Sequence, residues 1–396
     1  MKRAIVLRQR GFSLVELMIS VVIGMLALMF ALRMVGGAEK TRNSALGGSD
    51  GMQNGLVALF ALSNDANTAG FGLNDPIIAG CNTQFNDSAG FQLAPFQAAG
   101  STTTRRPLAP VVIEKGASSS TNGDSPDRIT FYSGASPGGT PNWRLLADFT
   151  FGGTQLSLDH ATYGMNENDV LLVARDVPGA DCLLLQRSDN ALMTKTPRVE
   201  SDTDRRFNGG SRTASFTWNK SRVYNLGSVD SLSFHSWSVS DGYLRLQSIS
   251  SDTPGRAVTV ANDVVSIKAQ YGIDTRTGAA FRPETGLQVN RWQSDMTDVD
   301  GSGVAGDAGD WQHIAAVRIA VVARSKAAQR VAAGATCTTT TTRPQVFSTS
   351  PLQGVTAAPI SVNVAVAGDP LDWKCYSYQT FETVVSLRNA GWRKTE

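Results

Sequence analysis

Residues 12–35 read FSLVELMISVVIGMLALMFALRMV, an almost wholly apolar run that carries charge only at Glu16 and Arg33. At about 1.5 Å per residue, a helix of this length spans about 36 Å, which exceeds the roughly 30 Å hydrocarbon core of a bilayer. The preceding residues 1–11 read MKRAIVLRQRG and are basic. Basic flanks stay on the cytoplasmic side, so the run predicts a single-pass anchor with the rest of the chain beyond the membrane.

Two ordinary explanations of the apolar run are unsatisfactory. A secretory signal has an apolar region of about 7–15 residues followed by a small-residue cleavage site, and this run is longer and has no such site. A plain transmembrane anchor does not account for Glu16, because a carboxylate inside an apolar helix is costly in lipid and implies a partner.

The octapeptide RGFSLVEL at residues 10–17 resembles the class III leader motif of type IV prepilins and pseudopilins. In that family a membrane aspartyl peptidase cuts after the glycine and methylates the new N-terminus. The resemblance implies that Gly11 ends a leader over residues 1–11, that Phe12 is the methylated first residue, and that Glu16 is the acid at the fifth mature position. Such a carboxylate can neutralise the freed amine of a neighbouring subunit and set the register of bundled helices.

No proline occurs between Phe12 and Asp75, so the helix is predicted to continue from the membrane segment through residues 36–70. The six glycines of residues 36–55 each cost about 1 kcal/mol relative to alanine, so this part either bends or marks a linker or a close helix contact. Gly70 is a candidate helix stop. The apolar stripe predicted to pack on the body consists of Leu46, Met52, Leu56, Leu59, Phe60 and Ser63.

Beyond residue 70 the apolar pattern changes to period two, which predicts a β-rich periplasmic body over residues 71–396. A break near residues 195–220 predicts two lobes, and Ser240-Asp241-Gly242 predicts a hairpin. The fold class is therefore α+β, with one long N-terminal helix whose second half packs on an antiparallel, pilin-like body. The predicted strands are 128–133, 155–160, 169–175, 181–187, 229–237, 243–249, 264–273, 311–323 and 373–387.

The chain has four cysteines, namely Cys81, Cys182, Cys337 and Cys375. They form no C-x-x-C pair and have no histidine at ligand spacing, so a zinc site is not expected. An even number of cysteines in an exported chain predicts two disulfides with three connectivities. We favour the sequence-local pairing Cys81–Cys182 with Cys337–Cys375, and buried free thiols are the alternative.

Segments in order along the body resemble the PilW family of minor pilins. The resemblance implies a minor pilin that primes a type IV pilus near its tip, with other minor pilins, the major pilin and a tip adhesin as partners. It also implies a prepilin peptidase, an inner-membrane assembly platform, and a location in the inner membrane and then in the pilus at the cell surface. The segments are Asp65 to Phe71 with Cys81, NDVLLVAR at 168–175, AQYGID at 269–274, AVRIAVVAR at 316–324 and SLRN at 386–389.

The rest of the sequence gives little support for catalysis. The net charge of +2 comes from the basic N-terminus, and the remaining chain is near neutral. Walker A, G-x-G-x-x-G and H-E-x-x-H motifs are missing. Residues 134–138 match G-x-S-x-G, but Pro137 follows Ser136 and no helical pattern comes next, so a surface turn is predicted. We expect no catalytic residue, no resident metal and no cofactor.

Two stretches leave alternatives open. Asp298, Asp300 and Ser302 offer spaced oxygens for calcium, yet Gly309 stands where the bidentate glutamate of a calcium loop belongs, so a solvated acidic turn is preferred. The basic residues of 205–222 lie near aromatic residues but among acids, which favours a mixed-charge loop over DNA binding. The alternative functions are a type II secretion pseudopilin, a membrane-anchored periplasmic hydrolase and a DNA-uptake pilin.

Overall fold

A computed structural model describes residues 14–136, 141–150, 152–201, 205–210, 213–329, 331 and 334–390 of the chain. Its first element is α1 (Leu14–Thr68), one continuous helix of 55 residues. At about 1.5 Å per residue this helix is about 80 Å long. It ends before Gly70, whose φ of +83° lies in the left-handed region that terminates helices, as the sequence predicts.

Sixteen strands and one short second helix, α2 (Ala308–Gln312), form the described body. The strands are β1 (Thr83–Gln84), β2 (Val111–Glu114), β3 (Arg128–Ser133), β4 (Asn142–Arg144), β5 (Asp169–Arg175), β6 (Cys182–Gln186), β7 (Ser221–Ser228), β8 (Ser233–Ser240), β9 (Tyr243–Ser248), β10 (Val258–Asn262), β11 (Val264–Ile273), β12 (Arg291–Gln293), β13 (Ile314–Arg324), β14 (Gln345–Val346), β15 (Ile360–Ser361) and β16 (Tyr378–Ser386).

These strands make three sheets and a ribbon. Sheet A has the order β1-β6-β5-β7-β4, sheet B the order β10-β9-β8-β3-β2, and sheet C the order β12-β11-β13-β16. Among the described strand pairs, β1 with β6 is parallel and the others are antiparallel. The antiparallel ribbon joins β14 to β15. The predicted α+β class, a long helix on an antiparallel body, is confirmed.

The main core lies where the second half of α1 meets the three sheets. The outer face of sheet A carries a second cluster that includes Trp143, Leu156 and Phe216. The outer face of sheet C carries a third cluster around Phe347. Because sheet C is covered on both faces, β11 is buried along its whole length, although polar and apolar side chains alternate over residues 266–271.

Several predicted strands agree closely with the structure. The strands predicted at 128–133, 169–175 and 264–273 have the observed bounds of β3, β5 and β11. The predicted hairpin joins β8 to β9, with Ser240 paired to Tyr243. Its loop residues Asp241 and Gly242 have φ values of 57° and 79°, which a two-residue type I′ turn requires.

Other predicted bounds are wrong for local reasons. Residues 155–160 form isolated bridges rather than a strand, because Leu156 and Leu158 enter the second cluster from a loop. Trp311 belongs to α2, and β13 begins at Ile314, since Asp307 caps that helix by accepting from Asp310 N. The predicted strands at 229–237 and 373–387 each begin with a 3-10 turn, so β8 and β16 start later.

Candidate functional site on the N-terminal helix

The first part of α1 is an apolar helix that the body does not cover. Residues Leu14–Met34 have a mean hydropathy of 2.5, and none of this segment is buried inside the described structure. Its length and composition suffice to cross a membrane. The observed segment lies within the predicted run 12–35, whose residues 12 and 13 lie outside the described residues.

Glu16 lies in the first turn of α1 and is exposed. A negative charge at this end of a helix interacts favourably with the helix dipole. Arg33, the other charged residue of the apolar segment, lies about 26 Å further along the axis, and no cation of the described chain pairs with Glu16. Gly11 and Phe12 lie outside the described residues, so the leader cut and the methylation remain predictions.

The second part of α1 packs on β13 and β16 through a seam of small residues. Gly51 and Gly55 are buried in this contact. A Cβ added to Gly51 would lie 3.0 Å from the carbonyl oxygen of Arg324, and one added to Gly55 would lie 2.2 Å from the ring of Phe381. Close helix packing, one of the two explanations considered for the glycines, therefore applies at these two positions.

This seam corrects the stripe that the sequence analysis assigned to the body. Met52, Leu56 and Phe60 are exposed, whereas Leu59 and Ser63 are half-buried. The side chain of Leu46 lies outside the described residues. The prediction was wrong because the body approaches the helix so closely at Gly51, Gly55 and Ala58 that only small side chains fit there, whereas the large Leu62 is buried one turn further along. The buried seam consists of Gly51, Gly55, Ala58, Leu62, Ala66 and Ala69.

A buried carboxylate fixes the helix on sheet B. Asp65 Oδ2 accepts a hydrogen bond from Trp237 Nε1 at 2.7 Å and lies 2.8 Å from His235 Nδ1. Both partners belong to β8, and the Asp65 side chain is nearly inaccessible. Charge-assisted hydrogen bonds of this kind contribute about 1.5–3 kcal/mol each, so Asp65 resists rotation or sliding of α1 on the body.

The C-terminus of α1 is closed by a residue from the end of the chain. Asn389 Nδ2 donates to the carbonyl oxygens of Asn67, Thr68 and Ala69 at 3.3–3.4 Å. These carbonyls lack partners inside the helix. The seam, Asp65 and Asn389 together make the second part of α1 an integral part of the body.

Two disulfides reinforce the body around this helix. Cys81 bonds to Cys182 and ties the loop after α1 to β6, at a sequence separation of 101. Cys337 bonds to Cys375, 38 residues away, and closes the insertion between β13 and β16. This connectivity is the sequence-local one among the three.

A fully buried ion pair lies under sheet C. Lys268 on β11 contacts the carboxylate of Asp127 and also donates to Ser125 O at 3.1 Å. Asp127 additionally accepts from the backbone N–H groups of Gly116 at 2.9 Å and Ala269 at 3.0 Å. Burial raises the pKa of the Asp127 carboxyl above its usual value. Both side chains are fully buried, which indicates a structural role for the pair.

The acidic loop brings three carboxylates together. Oxygens of Asp298, Asp300 and Asp310 lie within 4.8 Å of one another, which suits a divalent cation. Asp310 is buried and already accepts from the N–H groups of Val299 at 2.5 Å and Gly306 at 2.7 Å. Burial raises its pKa from 3.8 to about 6. The loop thus satisfies its buried carboxylate with its own backbone.

The serine of the G-x-S-x-G match is buried. Residues 137–140 lie outside the described residues, and the next described element is the strand β4, whereas a nucleophile elbow requires a helix. His160 pairs with Asp159 at 2.7 Å and stacks on Trp143. The described geometry gives Ser136 no arrangement that would activate it.

The basic stretch is largely neutralised by acids of the body. Arg206 binds the carboxylate of Asp87 at 2.6 and 3.0 Å, and Arg222 binds Asp176 at 2.6 Å. Arg205 contacts Glu167. Phe207 and Phe216 are buried and offer no stacking surface, Trp218 is exposed, and Arg212 lies outside the described residues.

Comparisons with known proteins assign two segments of the chain. Residues 237–389 match the family model described as type IV pilus-assembly protein W, PilW. Residues 7–32 match the prokaryotic N-terminal methylation motif. The first match contains sheet C and Asn389, which hold α1, and the second contains Glu16. No curated protein and no solved structure matches the chain.

Proposed function

We propose that this chain, a PilW-family protein with a class III prepilin-like N-terminus, is a minor pilin that helps to prime the type IV pilus at or near its tip. A prepilin peptidase removes residues 1–11 after Gly11 and methylates Phe12. An inner-membrane assembly platform then moves the chain from the membrane into the filament. There it contacts other minor pilins, the major pilin and a tip adhesin.

The observation that carries the proposal is an uncovered apolar helix that is continuous with a helix fixed in the body. Before assembly, lipid surrounds residues 14–34. On assembly, apolar helices of neighbouring subunits replace that lipid, and the body moves rigidly with α1 because the seam and Asp65 hold it. The position of the helix in the fibre therefore fixes the position of the body. This role is structural and requires no catalytic activity.

Glu16 gives this assembly its register. A carboxylate in apolar surroundings is unstable without a partner, and no described cation pairs with it. The α-amine freed at Phe12 of a neighbouring subunit supplies the missing charge. The pair forms at one axial offset between helices, so it selects that offset.

The proposed roles divide the chain into four segments. Residues 1–11 form the leader, 12–35 the membrane and assembly helix, 36–70 the helix that joins it to the body, and 71–396 the body. The two lobes predicted on either side of residues 195–220 remain a prediction.

Mass spectrometry of the chain from cells that make pili tests the proposal. We expect a mature N-terminus that begins with a methylated Phe12, and an intact Met1 would refute it. Glu16→Ala should reduce incorporation into pili at least tenfold while the body still unfolds at the wild-type temperature. Arg33→Gln, which changes a charge in the same helix, serves as the matched control and should leave incorporation unchanged.

Deletion of the gene separates the pilus role from its nearest alternative. Loss of surface pili with normal protein secretion supports the minor pilin. Loss of secretion with normal pili would instead indicate a type II secretion pseudopilin. Labelled antibody at fibre ends checks the proposed tip position, and uniform labelling along the fibre would contradict it.

A further inference from the structure

β16 is the outer strand of sheet C, and the edge that faces away from β13 is open. At both ends of the β13–β16 pair, odd-numbered residues make the hydrogen bonds: Ser325 N donates to Ser377 O at 2.8 Å, and Leu387 N donates to Ala315 O at 3.0 Å. Because bonding alternates along an antiparallel pair, the N–H and C=O groups of the even-numbered residues of β16 point away from β13. Within the described residues, no hydrogen-bond partner occupies the outward backbone groups of Thr380, Glu382, Val384 and Ser386.

The open edge over residues 380–386 is long and accessible. At about 3.4 Å per residue it extends about 20 Å. Its four outward-bonding residues are exposed, and Val384 is 39% exposed although it is apolar. α1 packs on the face of β16 that carries Phe381 and Val385. The helix therefore covers one face of the strand, and the edge itself stays accessible to another chain.

β16 lacks the features that normally prevent an outer strand from pairing with another chain, which are short length, bulges, prolines and exposed charges. β10, the outer strand of sheet B, has five residues and a bulge between Thr259 and Ala261. β16 has nine residues in unbroken register and contains no proline or lysine. Its one charged residue, Glu382, contacts Arg318 and accepts from Phe347 N at 2.6 Å. The edge of β16 is thus suited to accept a further strand.

The direction of β16 limits what can pair with it. Phe381 lies against Gly55, and Asn389, just after the strand, binds the carbonyl groups at the C-terminus of α1. β16 therefore runs in the same direction as α1, away from the membrane segment. Antiparallel pairing is the more stable arrangement per residue and requires an added strand that runs toward that segment. Two copies of β16 paired in this way would direct their α1 helices oppositely, so their apolar segments could not enter one membrane in the same orientation.

The other strands of a second copy do not fit this edge either. Apart from β16, the outer strands of the three sheets and the strands of the ribbon have two to five residues in the described chain. The open edge is seven residues long, so the added strand comes from a different polypeptide. Its alternate side chains would extend the face of Phe381 and Val385, which is apolar, and the opposite face, which carries Thr380 and Glu382. A matching segment therefore has an apolar residue at every second position.

We propose that the open edge of β16 binds an extended segment of a different polypeptide, about seven residues long, as an additional antiparallel strand of sheet C. Hydrogen bonds to the outward backbone groups of β16 supply affinity, and the alternation of apolar side chains supplies specificity. The inference rests on the open edge and on the direction of α1. It does not require the leader cut or the tip position of the proposed function.

Photo-crosslinking in cells that produce the full-length chain identifies the bound segment. A benzophenone amino acid replaces Val384, and in a matched sample it replaces Val258 on the bulged strand β10, which is 49% exposed. We expect the Val384 probe to crosslink one segment of a different protein, with apolar residues at alternate positions, as mapped by peptide mass spectrometry. The Val258 probe should not capture that segment. Crosslinks from Val384 only to a second copy, to residues 391–396 of the same chain or to no protein would overturn the proposal.

A synthetic peptide with the crosslinked sequence tests whether the contact is a strand pair. It is added to the purified full-length chain in detergent, and amide hydrogen exchange is measured residue by residue. We expect the N–H groups of Thr380, Glu382 and Val384 to exchange rapidly without the peptide and at least tenfold more slowly with it, because the peptide supplies their missing acceptors. A peptide that binds without slowing these three amides would contradict strand addition.

A proline variant separates backbone pairing from side-chain contact. Val384→Pro removes an N–H group that points away from β13, a position at which an outer strand tolerates proline. The variant should keep the cooperative unfolding of the body and bind the peptide at least tenfold more weakly. Val384→Thr keeps the N–H group and the branched side chain, so this control should bind like the wild type. Wild-type affinity in Val384→Pro would refute the pairing, and the exchange measurement on the unsubstituted chain decides the question independently of how the variant folds.

Discussion

Gly55 on α1 lies against the ring of Phe381 on β16 so closely that a Cβ at position 55 would meet Phe381 Cε2 at 2.2 Å. The contact explains why the helix tolerates glycine where alanine would be the better helix former by about 1 kcal/mol. It also fixes the distance between α1 and sheet C.

We therefore expect Gly55→Ala to destabilise the body by about 1–3 kcal/mol, despite its higher helix propensity, because the added methyl forces the ring to move. Thermal unfolding of the full-length chain in detergent measures this. Combining Gly55→Ala with Phe381→Leu should recover part of the loss, since the smaller side chain makes room. A more stable Gly55→Ala variant would show that the contact is loose.

The buried pair of Lys268 and Asp127 predicts strong coupling between two substitutions. Lys268→Met should cost about 3–5 kcal/mol, because it leaves a buried carboxylate without its cation. Lys268→Met with Asp127→Asn should cost less than the sum of the single changes, since no lone buried charge remains. The double variant still loses one hydrogen bond, because Gly116 and Ala269 donate to different oxygens of Asp127 and asparagine has a single side-chain oxygen. Chemical denaturation of the four proteins gives the coupling energy, and simple additivity would contradict the prediction.

The two disulfides should differ in their contribution to stability. The chain-entropy relation gives about 5 kcal/mol for the 101-residue separation of Cys81 and Cys182 and about 4 kcal/mol for the 38-residue separation of Cys337 and Cys375. Paired serine substitutions, compared by denaturant titration, measure both. We expect the larger loss for Cys81→Ser with Cys182→Ser, and the reverse order would mean that native contacts rather than loop length determine the difference.

Asp310 predicts a dependence of stability on pH. Burial raises its pKa from 3.8 to about 6 in the folded state. Between these values the unfolded chain has lost the proton that the folded chain keeps, so this group lowers stability as the pH rises from about 4 to 6. Unfolding of Asp310→Asn should lack that part of the pH dependence.

The Asp310 measurement belongs in chelator-treated buffer, so that no divalent cation occupies the three carboxylates. Carbon-13 NMR of the Asp310 carboxyl gives its titration directly. A midpoint near 4 would show that the loop opens enough to hydrate this group.

The N-terminal helix and several strands were predictable from the sequence, because their signals lie in short stretches of neighbouring residues. The apolar run with Glu16 specified the class of the N-terminus because length, charge and motif are all local properties. Strands such as β11 were predictable because ten consecutive residues carry the signal. Strand β7 was missed, since Ser221–Ser228 shows no regular alternation of polar and apolar residues, and its polar Ser221 and Asn225 are buried. The outer strand β10 was also missed, because it is only five residues long and four of them are exposed.

What the sequence alone determined is that one apolar helix that carries an acid, Glu16, leads into a β-rich, disulfide-bonded body. Only the tertiary structure decided which side of that helix faces the body. Sequence spacing ranked Met52, Leu56 and Phe60 as core because they are large and apolar, but the approach of β13 and β16 leaves room only for Gly51, Gly55 and Ala58. Hydrophobicity is a property of each residue, whereas the available space depends on strands more than 250 residues away in the chain.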